Sequence, residues 1–406
     1  MKVTSLASSR PGFGFFLPWS FDLEGGGVAH AVYGLADQCR TDSAYSPIAL
    51  EMDWQCKRPV LDQWRGIPRV RLRLRTPWQT EYRFRAAFSY FAHLPIDLWR
   101  LRRITKAHNL RVINSQYPGL DSFNFVLMRH LGLFYGKNVF TFQGTDVRLV
   151  LGTRGLIRRL WKWMLRRVDV LVFVSEGLKD EFLAFDPRLA ERCVVVHNGV
   201  DVEAFSRLSN ECAPYPTLFD DSHHVVLSIG KFEYRKGHDL LVKAFELVLR
   251  QYPSARLAII GGSGPTLEAT RDLIATLGLR DTVTVLTDVP YKQIPSFIRH
   301  SEVFVLCSRW EKGHFGEGFP LALAESGALA RPVVSTQSTG CDEIIQDRHT
   351  GRLVALEDPA ALAGAILDVL RDRADANRMA SHLHQLVCSQ FTWQHVWCKY
   401  RRLLEA

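Results

Sequence analysis

The chain has 406 residues, of which 47% are hydrophobic and 23% are charged. This composition excludes a disordered or fibrous protein, and the length predicts two globular domains of roughly 200 residues each. The net charge of +9 favours anionic partners, such as phosphate groups or an anionic membrane surface.

Three further features of the sequence bear on location. No apolar run reaches the roughly 18 residues that span a bilayer, and the N-terminus lacks the apolar core of a secretory signal. The eight cysteines show no CxxC pair and no zinc-binding spacing, which favours reduced thiols. We therefore expect a cytoplasmic protein.

Short apolar runs alternate with helical patterns along the chain, which predicts βαβ units and parallel sheets. The predicted strands of the first half are 14–18, 47–52, 112–115, 139–143, 170–175 and 193–197. Gly25, Gly26 and Gly27 lead into a predicted helix from Val28 to Cys39. Four arginines alternate with apolar residues and would share one face of a further strand; they are Arg69, Arg71, Arg73 and Arg75.

One segment of the first half, from Leu156 to Arg167, is both cationic and rich in tryptophan. At helical spacing it has a cationic face beside a face that contains Trp161 and Trp163. These tryptophans could lie at a lipid interface, or they could pack into the domain core while the arginines stay solvated. The sequence leaves both interpretations open.

A polar, proline-bearing stretch separates the two halves of the chain. We therefore place an N-terminal domain at 1–205, a linker at 206–222, a C-terminal domain at 223–390 and a final helix at 391–406. The second half repeats the alternating pattern, so we predict an α/β protein with two doubly wound, Rossmann-like domains that face a cleft. Clefts of this kind are favoured ligand sites.

A pair of acidic residues follows a buried strand in the second half. Glu317 precedes a predicted helix that begins near Pro320, and Glu325 lies within its first two turns. Helix N-termini bind phosphate, and carboxylates accept hydrogen bonds from hydroxyls, so the pair suits a nucleotide sugar. The alternative is that both acids are solvated residues that complement the helix dipole.

Other polar loops follow neighbouring strands of this half. The first strand ends in a loop that runs from Gly230 to Gly237 and carries Lys231 and Lys236. The second ends in the turn Gly261-Gly262-Ser263-Gly264-Pro265, whose glycines let the backbone approach a ligand. In open α/β sheets this edge is where ligands bind.

With these motifs in order, the segment from Ser228 to about Leu370 resembles the C-terminal domain of the GT-B glycosyltransferases, in particular the retaining enzymes of family 4. The hallmarks are the glycine-lysine loop, the GxGP turn and the acidic pair with seven residues between its members. The N-terminal half resembles the family more loosely, through four segments: Gly25-Gly26-Gly27, Thr141-Phe142-Gln143-Gly144-Thr145-Asp146, Phe173-Val174-Ser175-Glu176 and Asn198-Gly199-Val200-Asp201. The last segment resembles the helix that crosses back to the first domain in such folds.

The resemblance implies a role for each matched residue. Lys236 and Lys231 would neutralise the leaving diphosphate, Glu317 would contact the transferred sugar, and these three are the expected catalytic residues. Other residues would also bind the donor, with Glu325 at the ribose and Val289 and Pro290 beside the base. The further donor-binding residues would be Gly230, Gly262, Gly264, Gly318, Phe319, Pro320 and Leu321. The first domain would contribute Gly26, Gly27 and Gln143, the last standing where the family often has a histidine.

The resemblance therefore implies a retaining hexosyltransferase that moves a sugar from a UDP- or GDP-sugar to a glycan or lipid-linked acceptor, in cell-surface polysaccharide or lipopolysaccharide assembly. No resident cofactor or metal is expected, because no acidic cluster suits a divalent ion. An anionic membrane surface is an expected partner and nucleic acid is not, which would place the protein in the cytoplasm, on the inner membrane face. The alternatives are a GT-B nucleotide-sugar isomerase and a non-catalytic nucleotide-sugar-binding subunit.

Overall fold

A computed structural model describes residues 10–22, 27–77, 83–210, 218–219, 223–309 and 317–405. These residues form two compact units. The first unit runs to His197 and resumes at Val396, and the second spans Asn198–His395. The glycine-run residue Gly26 and most of the predicted linker lie outside the described residues.

The first unit is built on a sheet of eight described strands with helices between them. The strands are β1 (Gly12–Leu17), β2 (Ser46–Met52), β3 (Val60–Trp64), β4 (Ile67–Leu72), β5 (Leu110–Gln116), β6 (Lys137–Phe142), β7 (Val170–Phe173) and β8 (Cys193–Val195). The helices are α1 (Gly27–Thr41), α2 (Arg83–Ala107), α3 (Phe123–His130), α4 (Thr145–Leu151), α5 (Gly155–Leu165) and α6 (Glu176–Leu183).

The strand order of this sheet is β3-β4-β2-β1-β5-β6-β7-β8, and every neighbouring pair is parallel except β3 and β4. All six residues of β1 are buried, as expected for a central strand covered on both faces. The predicted strands of this half are present, with their ends shifted by one or two residues.

The prediction that four arginines line one strand face is wrong. The strand β4 ends at Leu72, so only Arg69 and Arg71 lie on it. Arg69 is buried, and it forms ion pairs with Asp22, Glu51 and Asp62. A buried guanidinium needs such partners, because leaving it unpaired would be costly.

The second unit contains a sheet of six described parallel strands. The elements in chain order are α7 (Val202–Leu208), β9 (His224–Ile229), α8 (His238–Gln251), β10 (Ala255–Gly261), α9 (Leu267–Thr276), β11 (Val283–Thr287), α10 (Ile294–His300), β12 (Val303–Leu306), α11 (Leu321–Ala328), β13 (Val333–Thr336), β14 (Arg352–Val354), α12 (Pro359–Arg371) and α13 (Arg373–Gln390). The last helix, α14 (Trp393–Glu405), begins in this unit and continues into the first. The strand order is β11-β10-β9-β12-β13-β14.

The boundaries of the units differ from the predicted ones. Residues 202–208 form α7 and belong to the second unit, although we expected 1–205 to belong to the first. The reason is packing: the Phe205 side chain is buried, with its ring 6.0 Å from that of Tyr291. The predicted linker therefore begins inside a helix.

The end of the chain returns to the first unit from Val396 onward. Within that unit the Trp397 Nε1–H donates to Asp42 Oδ2 at 2.6 Å, and the Tyr400 hydroxyl lies 2.9 Å from Thr141 Oγ1. The Phe13 ring on β1 also contacts Trp397. The last helix is therefore part of the core of the first unit.

Among the described residues, no helix is both long enough and apolar enough to cross a bilayer.

Candidate donor site at the carboxyl edge of the second sheet

The loop after β9 brings the predicted lysine Lys236 to the edge of the sheet. Residues Tyr234–Lys236 form a single turn of 3-10 helix, which ends at Gly237 with φ of +63°. A side chain at Gly237 would put its Cβ 2.1 Å from the Cys307 carbonyl oxygen, so only glycine fits this left-handed, crowded position. The loop is thereby fixed against the end of β12.

Glu317 lies at the centre of the site. Its Oε1 accepts hydrogen bonds from Lys236 Nζ at 2.5 Å and from Ser308 Oγ at 2.6 Å. Its Oε2 accepts from Arg235 Nη1 at 3.2 Å. The residue is only 7% exposed, so this carboxylate is a buried anion held by two cations.

The electrostatics of Glu317 follow from these contacts. Burial alone would raise the pKa of Glu317, but the charges of Lys236 and Arg235 and the hydrogen bonds outweigh burial and lower it to about 2. The carboxylate is therefore ionised at neutral pH. It fixes both cations at the sheet edge, and each cation keeps unused N–H donors for a ligand.

The other acid of the pair has the opposite environment. Glu325 is buried on α11, and its Oε1 accepts a 2.6 Å hydrogen bond from the Tyr291 hydroxyl. Burial raises the pKa of Glu325 to about 7, although the hydrogen bond from Tyr291 opposes the rise. Two carboxyl groups eight positions apart in sequence thus differ in charge state near neutrality.

The helix that carries Glu325 begins slightly later than the sequence suggested. The sequence predicted a start at Phe319 or Pro320, whereas α11 begins at Leu321 with Pro320 as its N-cap. Pro320 has ψ of 87°, which is outside the helical range. Phe319 is buried, and its ring contacts that of Phe391, so Phe319 fixes the approach to the helix by packing.

The remaining predicted donor residues occupy loops at the same edge of the sheet. Gly230 lies against the Lys236 side chain, and Gly264 packs so closely on the Phe232 carbonyl that a Cβ would lie 2.3 Å from its oxygen. Gly262 faces open space among the described residues. Val289 is half-buried, and Pro290 is exposed at the start of the turn that carries Tyr291.

Lys231 is placed differently from Lys236. Its side chain is exposed, whereas the two cations on Glu317 are Arg235 and Lys236. The sequence-based predictions assigned no role to Arg235, although its side chain binds Glu317. Its position next to Lys236 was the available signal, but sequence alone does not show which cation of the loop faces inward.

Of the N-terminal predictions, Gly27 begins α1, and Gln143 follows β6. The Gln143 Nε2–H donates to Gln116 Oε1 at 2.9 Å, which fixes the side-chain amide. Its backbone N–H donates to the buried carboxylate of Asp146. Asp146 also accepts from the Gly144 and Val147 N–H groups, so its carboxylate fixes the turn after β6.

The cationic segment of the first unit forms α5, and its two tryptophans differ in exposure. Trp161 is 3% exposed, so the core-packing alternative is correct for this residue. Trp163 is half-buried. Its ring packs against Phe123 and His130, with the Arg167 guanidinium 4.3 Å above it.

The comparisons with known families cover both units. Residues 214–383 match the family described as Glycosyl transferases group 1, and residues 61–204 match Glycosyltransferase Family 4.

Among curated relatives, the GDP-mannose-dependent alpha-(1-6)-phosphatidylinositol monomannoside mannosyltransferase of Mycolicibacterium smegmatis is 29% identical over 237 residues, which is 57% of this chain and 61% of that protein. Glycogen synthase of Mycobacterium tuberculosis is 27% identical over 235 residues, or 58% of this chain and 53% of that protein. The match thus spans less than two thirds of each relative.

Solved structures show the same fold. Anabaena Alr3699/HepE in complex with UDP and glucose superimposes with a TM-score of 0.74 at 15% identity, over 98% of this chain and 100% of that chain. Sucrose-phosphate synthase from Thermosynechococcus elongatus gives a TM-score of 0.73 at 17% identity, over 98% of both chains. With the two family matches in consecutive halves of the sequence, the chain belongs to family 4 of the glycosyltransferases and has the GT-B fold.

Proposed function

We propose that this glycosyltransferase is a retaining hexosyltransferase whose donor is a UDP- or GDP-sugar. The observation that carries the proposal is the buried Glu317 carboxylate, which holds Lys236 and Arg235 at the carboxyl edge of the second sheet. Retention is proposed from the family that the motifs resemble, and hexosyl transfer from the hexose donors named for similar proteins.

The charge that develops in such a reaction is on the leaving diphosphate. Lys236 donates one of its three N–H bonds to Glu317, so two remain for phosphate oxygens. Arg235 likewise keeps donors beyond those used by Glu233 and Glu317. Fixed cations of this kind stabilise departing charge without reorganisation, and we propose that they do so without a metal ion.

Glu317 itself has little capacity left for a substrate. Three of its roughly four acceptor positions are used by Lys236, Ser308 and Arg235. We therefore assign it a dual role: it positions the two cations and accepts one hydroxyl of the transferred sugar. Lys231, with its exposed side chain, would meet the diphosphate from the solvent side.

Glu325 would bind the ribose of the donor. Its carboxylate already accepts the Tyr291 hydroxyl, so it is oriented to accept a second hydroxyl. The main-chain turn at Val289 and Pro290 would lie beside the base, with Gly262, Gly264, Gly318 and Leu321 lining the phosphate and sugar path. Gln143 and Gly27 would contact the donor sugar from the first unit.

The relatives narrow the choice of substrates to test. The mycobacterial mannosyltransferase is named as GDP-mannose-dependent and as acting on a phosphatidylinositol mannoside. A second relative, from Erwinia amylovora, is named as an amylovoran biosynthesis glycosyltransferase. We infer that the acceptor of this chain is a glycan or a lipid-linked glycan of the cell surface, and that the enzyme works at an anionic membrane face.

The proposal is tested by incubating the protein with GDP-mannose and UDP-glucose in turn, with a bacterial lipid extract as acceptor. We expect release of the nucleoside diphosphate, with the sugar found on the lipid, and an anomeric configuration by NMR that matches the donor. Inversion at the anomeric carbon would overturn retention. Conversion of the donor to another nucleotide sugar without release would instead support an isomerase, and binding without either reaction would support a non-catalytic subunit.

A further inference from the structure

The helix α2 of the first unit has large apolar side chains in solvent. Phe88 is 79% exposed, Phe91 is 67% exposed and Trp99 is 56% exposed, and Ile96 lies beside them. At 100° per residue these positions fall on one side of the helix, together with Pro95. They form a continuous stripe of about 16 Å, given a rise of 1.5 Å per residue.

The opposite side of α2 is already packed into the unit. Leu98 and Leu101 belong to a core cluster with strands β1, β2, β4 and β5. The buried Tyr90 hydroxyl donates to Asn124 Oδ1 at 3.2 Å. Because the inner face is fixed, the helix cannot rotate to bury the stripe, and the exposed rings are a stable property of the surface.

The same outer face becomes cationic towards the end of the helix. Arg102, Arg103 and Lys106 are exposed there, and the Arg103 guanidinium lies 4.8 Å from the Trp99 ring. Asp97, the one acidic residue of the helix, is buried and pairs with Arg75 and Arg100. The outer face therefore combines aromatic rings with three cations for which no ion pair appears among the described residues.

We propose that this outer face of α2, defined by Phe88, Phe91, Ile96, Trp99, Arg102, Arg103 and Lys106, docks on an anionic lipid bilayer. Apolar and aromatic side chains insert at the headgroup boundary of a bilayer, and cations are attracted by anionic lipids. Exposed apolar patches of this kind mark interaction surfaces. The inference rests on the proposed membrane location, and it assigns the apolar contact to α2, since Trp161 of α5 is buried and the Trp163 ring packs against Phe123 and His130.

The neighbouring helix α5 carries a further exposed cation. The helix α2 contacts α3, and α3 contacts α5. On α5, Arg159 is exposed, as is the apolar Leu156. An anionic bilayer supplies the charge that is complementary to Arg102 and Arg103, whereas a second copy of the chain would have to place acids opposite them.

The test is co-sedimentation with two kinds of vesicle, pure phosphatidylcholine and an equal mixture of phosphatidylcholine and phosphatidylglycerol. We expect the wild type to bind the anionic vesicles. The triple substitution Phe88→Ser with Phe91→Ser and Trp99→Ser should lower the partition coefficient about tenfold or more, since each removes interfacial burial. Val60→Ser is the control, because Val60 is exposed and lies on the face of the first sheet opposite to α2. This substitution should leave the partition coefficient unchanged.

The charge of the surface is tested separately. Arg102→Glu with Arg103→Glu should abolish the preference for anionic vesicles. The control is Arg271→Glu with Arg280→Glu on the second unit, which changes the net charge by the same amount and should preserve this preference. Undiminished binding of the triple variant, or equal loss in a variant and its control, would overturn the inference. So would a wild-type dimer in solution that the triple substitution dissociates, since the stripe would then bind a second copy.

The stripe variants also separate this inference from the proposed function. These residues belong to the first unit and Glu317 to the second, so each variant should bind GDP and UDP as the wild type does, measured by calorimetry. Vesicle binding lost with nucleotide binding intact supports the docking surface. Wild-type protein that binds nucleotide and ignores anionic vesicles overturns the docking surface and leaves the donor site standing.

Discussion

Two buried carboxyl groups of the candidate site differ in their chemistry because their neighbours differ. Glu317 faces two cations and has a pKa of about 2, whereas burial raises the pKa of Glu325 to about 7. We propose that the carboxylate that binds cations serves the diphosphate, and that the one that faces a hydroxyl serves the ribose. The difference follows from local contacts that the sequence pattern does not contain.

The raised pKa of Glu325 predicts how stability depends on pH. An unfolded glutamate has a pKa near 4.5, so the folded state binds the proton more tightly and stability falls as pH rises from about 4.5 to about 7. Replacing Glu325 by Gln removes this loss of stability, which arises from ionising a buried carboxyl group, while the amide oxygen can still accept a hydrogen bond from Tyr291. We expect Glu325→Gln to stabilise the protein by about 2–3 kcal/mol at pH 8, and to have little effect near pH 4.5.

The measurement is urea unfolding of both proteins at the two pH values. If the difference in unfolding free energy between Glu325→Gln and the wild type were the same at both pH values, the carboxyl group of Glu325 would have an ordinary pKa. The same variant should bind UDP or GDP more weakly at pH 8, because the ribose hydroxyls lose an anionic acceptor.

At the scale of one element, the loop after β9 depends on a single glycine. Gly237 has φ of +63°, and its added Cβ would lie 2.1 Å from a carbonyl oxygen. Gly237→Ala should therefore destabilise the second unit by roughly 2 kcal/mol or more and displace Lys236. Gly262→Ala is the matched control, because that glycine faces open space among the described residues.

Thermal and urea unfolding of the two variants give the comparison. Similar stability of Gly237→Ala and Gly262→Ala would mean that the loop is not fixed against β12. Loss of nucleotide affinity in Gly237→Ala, with affinity kept in Gly364→Ala on α12, would in addition link the conformation of this loop to the donor site, since Gly364 also faces open space among the described residues.

The helix α5 provides a second prediction at this scale. Trp161 is buried, whereas Leu156 on the same helix is exposed. Trp161→Ala should cost about 3–5 kcal/mol of unfolding free energy, as for large buried side chains, and Leu156→Ser should cost less than about 0.5 kcal/mol. A Trp161→Ala protein as stable as the wild type would contradict the inward orientation of the ring.

The sequence predicted the elements better than it predicted their contacts. Apolar runs identified the long buried strands, because central strands of parallel sheets are apolar on both faces. The hairpin partner β3 and the short β14 were missed, since edge strands are short and partly polar. The inward face of α5 could not be chosen from its pattern, because its arginines and tryptophans suit a core helix and an interfacial one equally.

At the scale of the whole molecule, the two-unit α/β architecture and the family were predictable, because motifs in a fixed order mark one fold. The unit boundary was not predictable to the residue. Polar composition suggested a linker from 206, but α7 packs with the second unit through Phe205. Arg235 as a partner of Glu317 was also not predictable, because the two residues are 82 positions apart and meet only through the fold.

We propose that the Lys236 ammonium, held by Glu317, stabilises the charge of the departing diphosphate. The turnover of nucleotide sugar at saturating donor tests this role in Lys236→Ala, with Lys243→Ala, an exposed lysine on the following helix, as the control. We expect Lys236→Ala to lose about 2–4 kcal/mol of transition-state stabilisation, a fall in kcat of roughly 30- to 1000-fold, while Lys243→Ala turns over normally. A kcat of Lys236→Ala near that of the wild type would show that this lysine does not stabilise the leaving diphosphate.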